Sequence, residues 1–227
     1  MIRRMVFALA ALVAVSASSL PAHAATLTDQ EQLLERATLS VKLMRGGPDF
    51  AEIERILPRA KAVLIIPSLI KGAFIFGGEG GNGVLLARQK DGSWTNPAFY
   101  ALGNVSFGLQ IGGQSSEVIF LIMSQQGLEA ILDKNATLGA DASVAVATIG
   151  KGVRASTGFD VNADMYAFAK TEGLFGGVSI NGAGLGALSD WNHEFYRSDD
   201  ATARNILING RFNTPDPRAA ALKAVLK

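Results

Sequence analysis

The stretch FGGEGGNGVL, residues 76–85, carries glycines at the spacing G-x-G-x-x-G. This spacing is typical of dinucleotide-binding loops when a strand precedes it, a helix follows it and an acidic residue lies about 20 positions downstream. Here an apolar run at 84–87 follows the glycines and leads to the turn Asp91-Gly92, which predicts a strand and a tight turn. The downstream position is Ala98, which is not acidic. The stretch therefore predicts a glycine-rich hairpin with closely crossing strands, and not a site for NAD or FAD.

A second match to the spacing runs from Gly182 to Ala187 and precedes a predicted helix. Its downstream acids, Asp199 and Asp200, lie where they would cap the next helix, whereas a dinucleotide site needs an acid at the end of a second strand. Neither match therefore predicts a cofactor.

Short apolar or alternating runs continue on both sides of the glycines and predict a series of strands. The first of them is expected to end at Pro67, because proline cannot donate a hydrogen bond to a neighbouring strand. Predicted strands and extended segments lie at 62–66, 73–76, 84–88, 94–100, 105–111, 118–123, 143–149, 155–161, 164–170 and 174–180.

Helices are predicted towards both ends of the chain. Thr28 and Glu31 form a capping box, apolar residues follow at helical spacing, and Gly46-Gly47-Pro48 ends the run. The polar face of this helix mixes both signs of charge, so we expect it to pack on its own domain and not to lie on a membrane. Further helices are predicted at 49–57, 125–133, 190–196, 201–207 and 217–226. The order predicts an α+β fold, a strongly curved, barrel-like antiparallel sheet with N-terminal and C-terminal helices.

Residues 1–24 have the features of a secretory signal peptide. Arg3 and Arg4 precede an apolar run at 5–20, and the sequence Ala22-His23-Ala24 predicts cleavage after Ala24. The arginine pair leaves twin-arginine export as an alternative, but the residues after it fit general secretion better. The chain has no cysteine for lipid attachment, so the expected product is periplasmic or secreted, soluble or peripheral to a membrane.

Composition narrows the possible functions. Without residues 1–24 the chain has 19 basic and 20 acidic residues, and this balance gives no reason to expect nucleic-acid binding. His193 is the single histidine that remains, and the chain has neither a cysteine nor a G-x-S-x-G motif, so a nucleophilic triad or a usual zinc site is not expected.

Carboxylates are the remaining candidates for metal binding or catalysis. The residues from Asp160 to Asp164 imitate the first half of a calcium loop, but Met165 stands where that loop needs glycine. An enzyme working through carboxylates stays open as a minor alternative, and it would require a deep pocket that holds at least two of four aspartates: Asp141, Asp160, Asp164 and Asp190. No catalytic residue and no metal site is predicted.

Several blocks in order give a more specific signal. The segments AKAVLIIPSLIKGAFIFGGEGGNGVLLARQKDGSWTNPAF, SFGLQIGGQSSEVIFLIM, LGADASVAVATIGKG, ADMYAFAKTEGLFGGVSING and FYRSDDATARNIL resemble the successive blocks of the SYLF domain. The resemblance covers about residues 30 to 210 and suggests a single SYLF-like domain over 25–227. Eukaryotic members of that family bind phosphoinositide membranes, and a yeast member binds actin. Bacterial members are mostly exported and usually described as lipid-binding.

The resemblance implies a non-enzymatic protein that binds phospholipid or a membrane surface in a bacterial envelope, where actin is an unlikely partner. The alternatives are a structural or adaptor protein that contacts another envelope protein, and the carboxylate enzyme. If an anionic lipid head group is bound, glycine-turn amides and nearby cations would receive it. The candidate cations are Lys61, Lys71, Arg88, Lys90, Lys151 and Arg154, each of which could also be a solvated surface charge.

Overall fold

The computed structural model describes residues 26–45, 50–73, 76–107, 112–133, 136–149, 163–173 and 180–227. Its helices are α1 (Asp29–Arg45), α2 (Phe50–Ile56), α3 (Gln125–Asp133), α4 (Ser189–Tyr196), α5 (Ala203–Leu207) and α6 (Pro217–Val225), with a 3-10 turn at Leu57–Arg59. Its strands are β1 (Ala62–Ala73), β2 (Phe76–Ala87), β3 (Ala98–Phe107), β4 (Gly112–Ile122), β5 (Ala136–Thr137), β6 (Val144–Ile149), β7 (Met165–Gly173) and β8 (Gly184–Ala187). The predicted α+β class is confirmed.

The eight strands form one sheet in the order β5-β8-β3-β2-β1-β4-β7-β6. The two edge strands, β5 and β6, are joined by residues 138–143 alone, which can span at most about 25 Å. A flat sheet of eight strands is wider, because neighbouring strands lie about 4.8 Å apart. The sheet therefore curls into a half-barrel that brings its edges together, as the sequence predicted.

Each face of the sheet packs against its own hydrophobic core. The inner face carries Leu64, Phe120 and Tyr100, which pack with residues of α3 and α5. The outer face carries Ile65 and Phe99, together with residues of α1, α2, α4 and α6. The termini of the described chain meet on this outer face, because α1 packs on α6.

Helix α1 forms as the capping signal predicts. The Glu31 N–H donates to Thr28 Oγ1 at 3.2 Å, and the Thr28 N–H donates to Glu31 Oε2 at 2.8 Å, which completes the capping box. Leu34, Ala37 and Val41 on its apolar face are fully or almost fully buried. The helix therefore packs on its own domain, as predicted.

The prediction that the first strand ends at Pro67 is wrong. β1 runs on to Ala73 through a β-bulge, where the register shifts between Ile65 and Ile70 against β2 and between Ile66 and Leu69 against β4. A bulge leaves a residue outside the regular ladder, which accommodates a proline without an N–H to donate. The predicted strand at 73–76 is also wrong, because it covers the end of one strand and the beginning of the next.

The glycine stretch lies within β2, paired with β1 and β3, and not in the connection between strands. A Cβ atom on Gly81 would lie 2.4 Å from the carbonyl oxygen of Ser68, and one on Gly83 would lie 2.9 Å from that of Ile65. The close crossing of strands is thus confirmed, whereas the placement of the glycines at the hairpin turn was wrong. A strand continues after them, so the dinucleotide motif lacks its helix.

The sheet also differs from the prediction in the direction of one pairing, β6 with β7, and in two additional short strands, β5 and β8. β6 and β7 run parallel, connected through residues 150–164, and every other pairing is antiparallel. Parallel neighbours need a connection of a dozen or more residues, which this segment supplies. The short strands β5 and β8 were not predicted, and β8 occupies much of the second glycine match. The predicted segment at 155–161 and all but the last residue of 174–180 lie outside the described residues, as do 108–111.

Among the helices that the structure describes, none combines the length and apolar character that crossing a membrane requires. The signal peptide predicted at residues 1–24 lies outside the described residues.

Candidate functional site

The sheet end at which β1 begins and β2 ends carries a cluster of cations, which we call the basic end. It consists of the side chains of Arg59, Lys61, Arg88 and Lys90. The 3-10 turn ends at Arg59, Lys61 precedes β1, and the other two lie on the loop that leads from β2 to β3. The cluster forms because the antiparallel β1–β2 pairing brings Ala62 opposite Ala87.

Arg88 holds the basic end together. Its guanidinium donates to the carbonyl oxygens of Ala60 at 3.0 Å, Gly92 at 2.9 Å and Leu57 at 2.8 Å. Its Cζ atom also lies 4.1 Å from the centre of the Trp94 ring, a cation–π contact. Burial lowers the pKa of the guanidinium, which stays charged because arginine titrates far above neutral pH. Arg88 thus positions the 3-10 turn and the loop with three of its five N–H donors.

The other three cations are exposed to solvent. The side chains of Arg59, Lys61 and Lys90 form no hydrogen bond and no ion pair with another residue that the structure describes. The one carboxylate on this groove, Asp91, accepts from the N–H of Ser93 at 2.9 Å and from its hydroxyl at 2.7 Å. These bonds lower the pKa of Asp91. Asp91 therefore keeps its negative charge, but the four cations of the basic end outnumber it, so the groove has a net positive charge for an external anion.

The three cations border a groove of about 710 Å³ between the loop and the inner-face helices. Leu128 and Leu207 form apolar parts of its lining, and Ile208 is 43% exposed beside them. Gln125, the first residue of α3, also lines it. The groove thus combines an apolar wall with a cationic rim.

A second groove, of about 680 Å³, lies on the other side of the Arg88–Trp94 stack. Its polar groups are largely used within the protein. Lys223 Nζ donates to Asn96 Oδ1 at 2.8 Å, and Arg45 donates to the Lys227 carbonyl oxygen at 2.8 Å. These bonds tie α6 to the loop and to α1, so this groove is a structural junction.

The structure brings together three of the six cations that the sequence predicted, namely Lys61, Arg88 and Lys90. Lys71 lies beyond the bulge, on the far half of β1. Lys151 and Arg154 lie outside the described residues. The sequence analysis missed Arg59, although its spacing from Lys61 across a short turn could have indicated it.

The candidate catalytic carboxylates do not converge. Asp141 accepts from the Thr137 N–H at 2.7 Å, and Asp164 binds the side chains of Ser124 and Ser143. Asp141, Asp164 and Asp190 do not line the groove at the basic end, the groove beside α6 or the two grooves that border α1. Among the described residues, no three histidine, aspartate or glutamate side chains lie close enough together to hold a metal ion. Asp160 lies outside the described residues.

Comparison with known proteins identifies a matching family and relatives in yeast and vertebrates. A sequence model of the family described as "Las17-binding protein actin regulator" (Ysc84) matches residues 103–227. The chain is 31% identical over 175 residues to Protein YSC84 of Saccharomyces cerevisiae, which is 76% of this chain and 36% of that protein. It is 31% identical over 177 residues to SH3 domain-containing YSC84-like protein 1 of Homo sapiens, with 78% and 50% covered. The chain thus spans about half the length of the vertebrate relatives and about a third of the yeast ones.

Proposed function

The chain belongs to the Ysc84 family of SYLF-domain proteins, and from that membership we propose that it is a non-enzymatic protein that binds anionic phospholipid at a membrane surface. The observation that supports this proposal is the basic end, where the side chains of Arg59, Lys61 and Lys90 are exposed and form no hydrogen bond or ion pair with a described residue. In this proposal the three cations attract anionic head groups electrostatically, and the apolar wall of the groove lies beside them.

The energetics are sufficient for reversible binding. A cation near an anionic lipid surface contributes about 1 kcal/mol, so the three together contribute about 3 kcal/mol, or roughly a hundredfold in affinity. Added salt weakens this contribution, because exposed charges are screened within about 10 Å at 0.1 M ionic strength. Rigid placement by Arg88 limits the entropy lost on binding.

We place this activity in the envelope of a bacterium, as an exported protein that acts in the periplasm or after secretion. Support comes from the signal-peptide features of residues 1–24. Mass spectrometry of the intact protein from its own cells tests the location, since an exported protein is expected to begin at Ala25. A chain that keeps Met1 in the cytoplasmic fraction would overturn this part of the proposal.

Vesicle sedimentation tests the basic end itself. The triple variant R59Q/K61Q/K90Q is expected to lose most binding to anionic vesicles, by about a hundredfold from the arithmetic of three surface charges. The matched control R36Q/K42Q/R197Q removes three exposed cations elsewhere and should bind almost as the parent does. Equal binding of the parent to neutral and anionic vesicles, or no binding at all, would sink the proposal.

An adaptor function is the second candidate, and the names of the relatives favour it. The family is described as an actin regulator, and LAS seventeen-binding protein 3 of S. cerevisiae is 32% identical over 163 residues, or 70% of this chain and 35% of that protein. The sequence-based expectation that actin is not a partner rests on export alone. Co-sedimentation with actin filaments decides the question, and filament binding by the parent would favour the adaptor function.

Catalysis has the least support. The family is described as an actin regulator, one yeast relative is named as a binding protein, and Asp141 and Asp164 serve as hydrogen-bond acceptors within the fold. We therefore propose no reaction for this chain.

A further inference from the structure

A row of polar side chains crosses the inner face of the sheet beyond the β1 bulge. Asn104 of β3 lies opposite Glu79 of β2, and Glu79 lies opposite Lys71 of β1. The β2–β3 register is continuous, so Glu79 shares a face with Leu85, which belongs to the inner core. Three adjacent strands thus place an amide, a carboxyl group and an ammonium group side by side.

Glu79 is buried without a complete set of partners. The residue is 8% exposed, and its Oε1 atom accepts no hydrogen bond. Burial raises the pKa of the carboxyl group, and the nearby Lys71 ammonium opposes that rise. A buried acceptor without a donor is destabilising, so an external donor at this carboxyl group would recover stability.

The charges of the row define what can bind there. A carboxyl group and an ammonium group lie on neighbouring strands, whose backbones are about 4.8 Å apart by the usual strand spacing. A bare metal cation would meet the Lys71 ammonium, and a simple anion would meet the Glu79 carboxyl group, so each is repelled by one of the two groups. A ligand that carries both charges at a matching separation satisfies both groups.

We propose that Glu79 and Lys71 bind an aminoethyl phosphate group, with its ammonium facing the Glu79 carboxyl group and its phosphate facing Lys71. The two-carbon linker separates the charges by about one strand spacing. Asn104 offers a further polar group beside the ammonium. Lys71 and Asn104 are each partly exposed, so the row opens to solvent on both sides of the buried carboxyl group.

This site is separate from the basic end and does not depend on it. It lies at the opposite end of the β1–β2 pair, past the bulge at Pro67. Aminoethyl phosphate occurs both as the free compound, phosphoethanolamine, and as the head group of a phospholipid. The proposal concerns the aminoethyl phosphate group that both sources share, and an experiment can distinguish the free compound from the lipid.

Calorimetric titration of the purified protein with phosphoethanolamine tests the site. The parent should bind it at least about tenfold more tightly than ethanolamine or glycerol phosphate, each of which lacks one charge, a difference of about 1.4 kcal/mol. The variants E79Q and K71Q should each lose about tenfold in affinity. The variants E54Q and K42Q, which change exposed charges elsewhere, should bind as the parent does.

E79Q removes a buried charge, so it is expected to fold, and a thermal melt checks this. A short-chain soluble phosphatidylethanolamine then identifies the source: competition with the free compound assigns the site to the lipid head group, and failure to compete assigns it to the free solute. Absence of phosphoethanolamine binding by the parent would overturn the proposal. Undiminished binding by folded E79Q would do so as well.

Discussion

At the scale of single residues, Gly81 shows why β2 needs glycine. A Cβ atom there would lie 2.4 Å from the Ser68 carbonyl oxygen, which is backbone at the β1 bulge and cannot rotate away. At Gly80, one residue earlier and on the other face, the nearest atom to a Cβ is 3.7 Å away, an ordinary contact. The two glycines thus differ in what a methyl group would meet.

We expect Gly81→Ala to lower the free energy of unfolding by about 1–3 kcal/mol, the usual cost of overpacking. Gly80→Ala should change it by less than about 1 kcal/mol, because the same methyl group meets only an ordinary van der Waals contact. Urea unfolding of both variants measures the difference. Equal stabilities would show that β1 moves to accept the methyl group, contrary to this account.

Arg88 provides a second prediction at this scale. Arg88→Lys keeps the charge but loses the planar fork that reaches three carbonyl oxygens and the stacking on Trp94. We expect the free energy of unfolding to fall by about 2–3 kcal/mol, since bonds from charged donors contribute about 1.5–3 kcal/mol each and are not additive. Arg59→Lys, at an exposed cation, should leave stability unchanged. A stable Arg88→Lys protein would mean that the loop is held by other contacts.

At the scale of elements, Asp164 links three junctions of the inner core. It precedes β7 and accepts from the hydroxyl of Ser124, which caps α3 through the Gly127 N–H at 2.9 Å. Its other oxygen accepts from the N–H and hydroxyl of Ser143, just before β6, at 3.0 and 2.8 Å. Partial burial acts to raise the pKa of Asp164, but the bonds from Ser124 and Ser143 outweigh it and lower the pKa.

A lowered folded-state pKa fixes the sign of the pH dependence. The Asp164 carboxylate contributes stability above its unfolded pKa, and the contribution is lost as the pH falls through the lower folded value. Asp164→Asn should therefore cost about 1–2 kcal/mol at pH 7, from lost acceptors, and less in strongly acidic solution. Unfolding by urea at several pH values measures this. Asp190→Asn, at an exposed helix position, is the control, and a pH-independent cost for Asp164→Asn would contradict the assignment.

The elements also show how far sequence alone leads. Helix α1 was predictable because its capping box and apolar spacing are local signals, and α3 for a similar reason. The continuation of β1 past Pro67 was not, because a bulge depends on both neighbouring strands. The parallel β6–β7 pair and the short β8 are likewise set by distant partners. Three of the four cations of the basic end, Lys61, Arg88 and Lys90, were predicted because each lies beside or at the end of a predicted strand or turn. The distance of Lys71 from them was not predictable, because it follows from the pairing of β1 with β2.

At the scale of the whole molecule, the two ends of the described chain hold the outer core closed. Arg218 of α6 forms ion pairs with Glu31 and Glu35 of α1 at 3.1 and 3.0 Å. The Trp94 indole N–H donates to the Leu226 carbonyl oxygen at 3.1 Å, which joins α6 to the loop of the basic end. Ion pairs that solvent still reaches contribute little individually, so the buried apolar contacts of α6 must dominate.

Leu222 is the fully buried residue of α6, and it tests this coupling. Leu222→Ala should lower the free energy of unfolding by about 2–5 kcal/mol, because it leaves a cavity in the outer core, where α6 packs on α1. Since α6 joins α1 and the loop, amide hydrogen exchange should quicken in all three segments together, while β7 keeps its protection. Ala224→Ser, at an exposed position of the same helix, is the control. If exchange quickened in α6 alone, α6 would not be coupled to α1 or to the loop. Arg88 would then position the basic end without a contribution from α6.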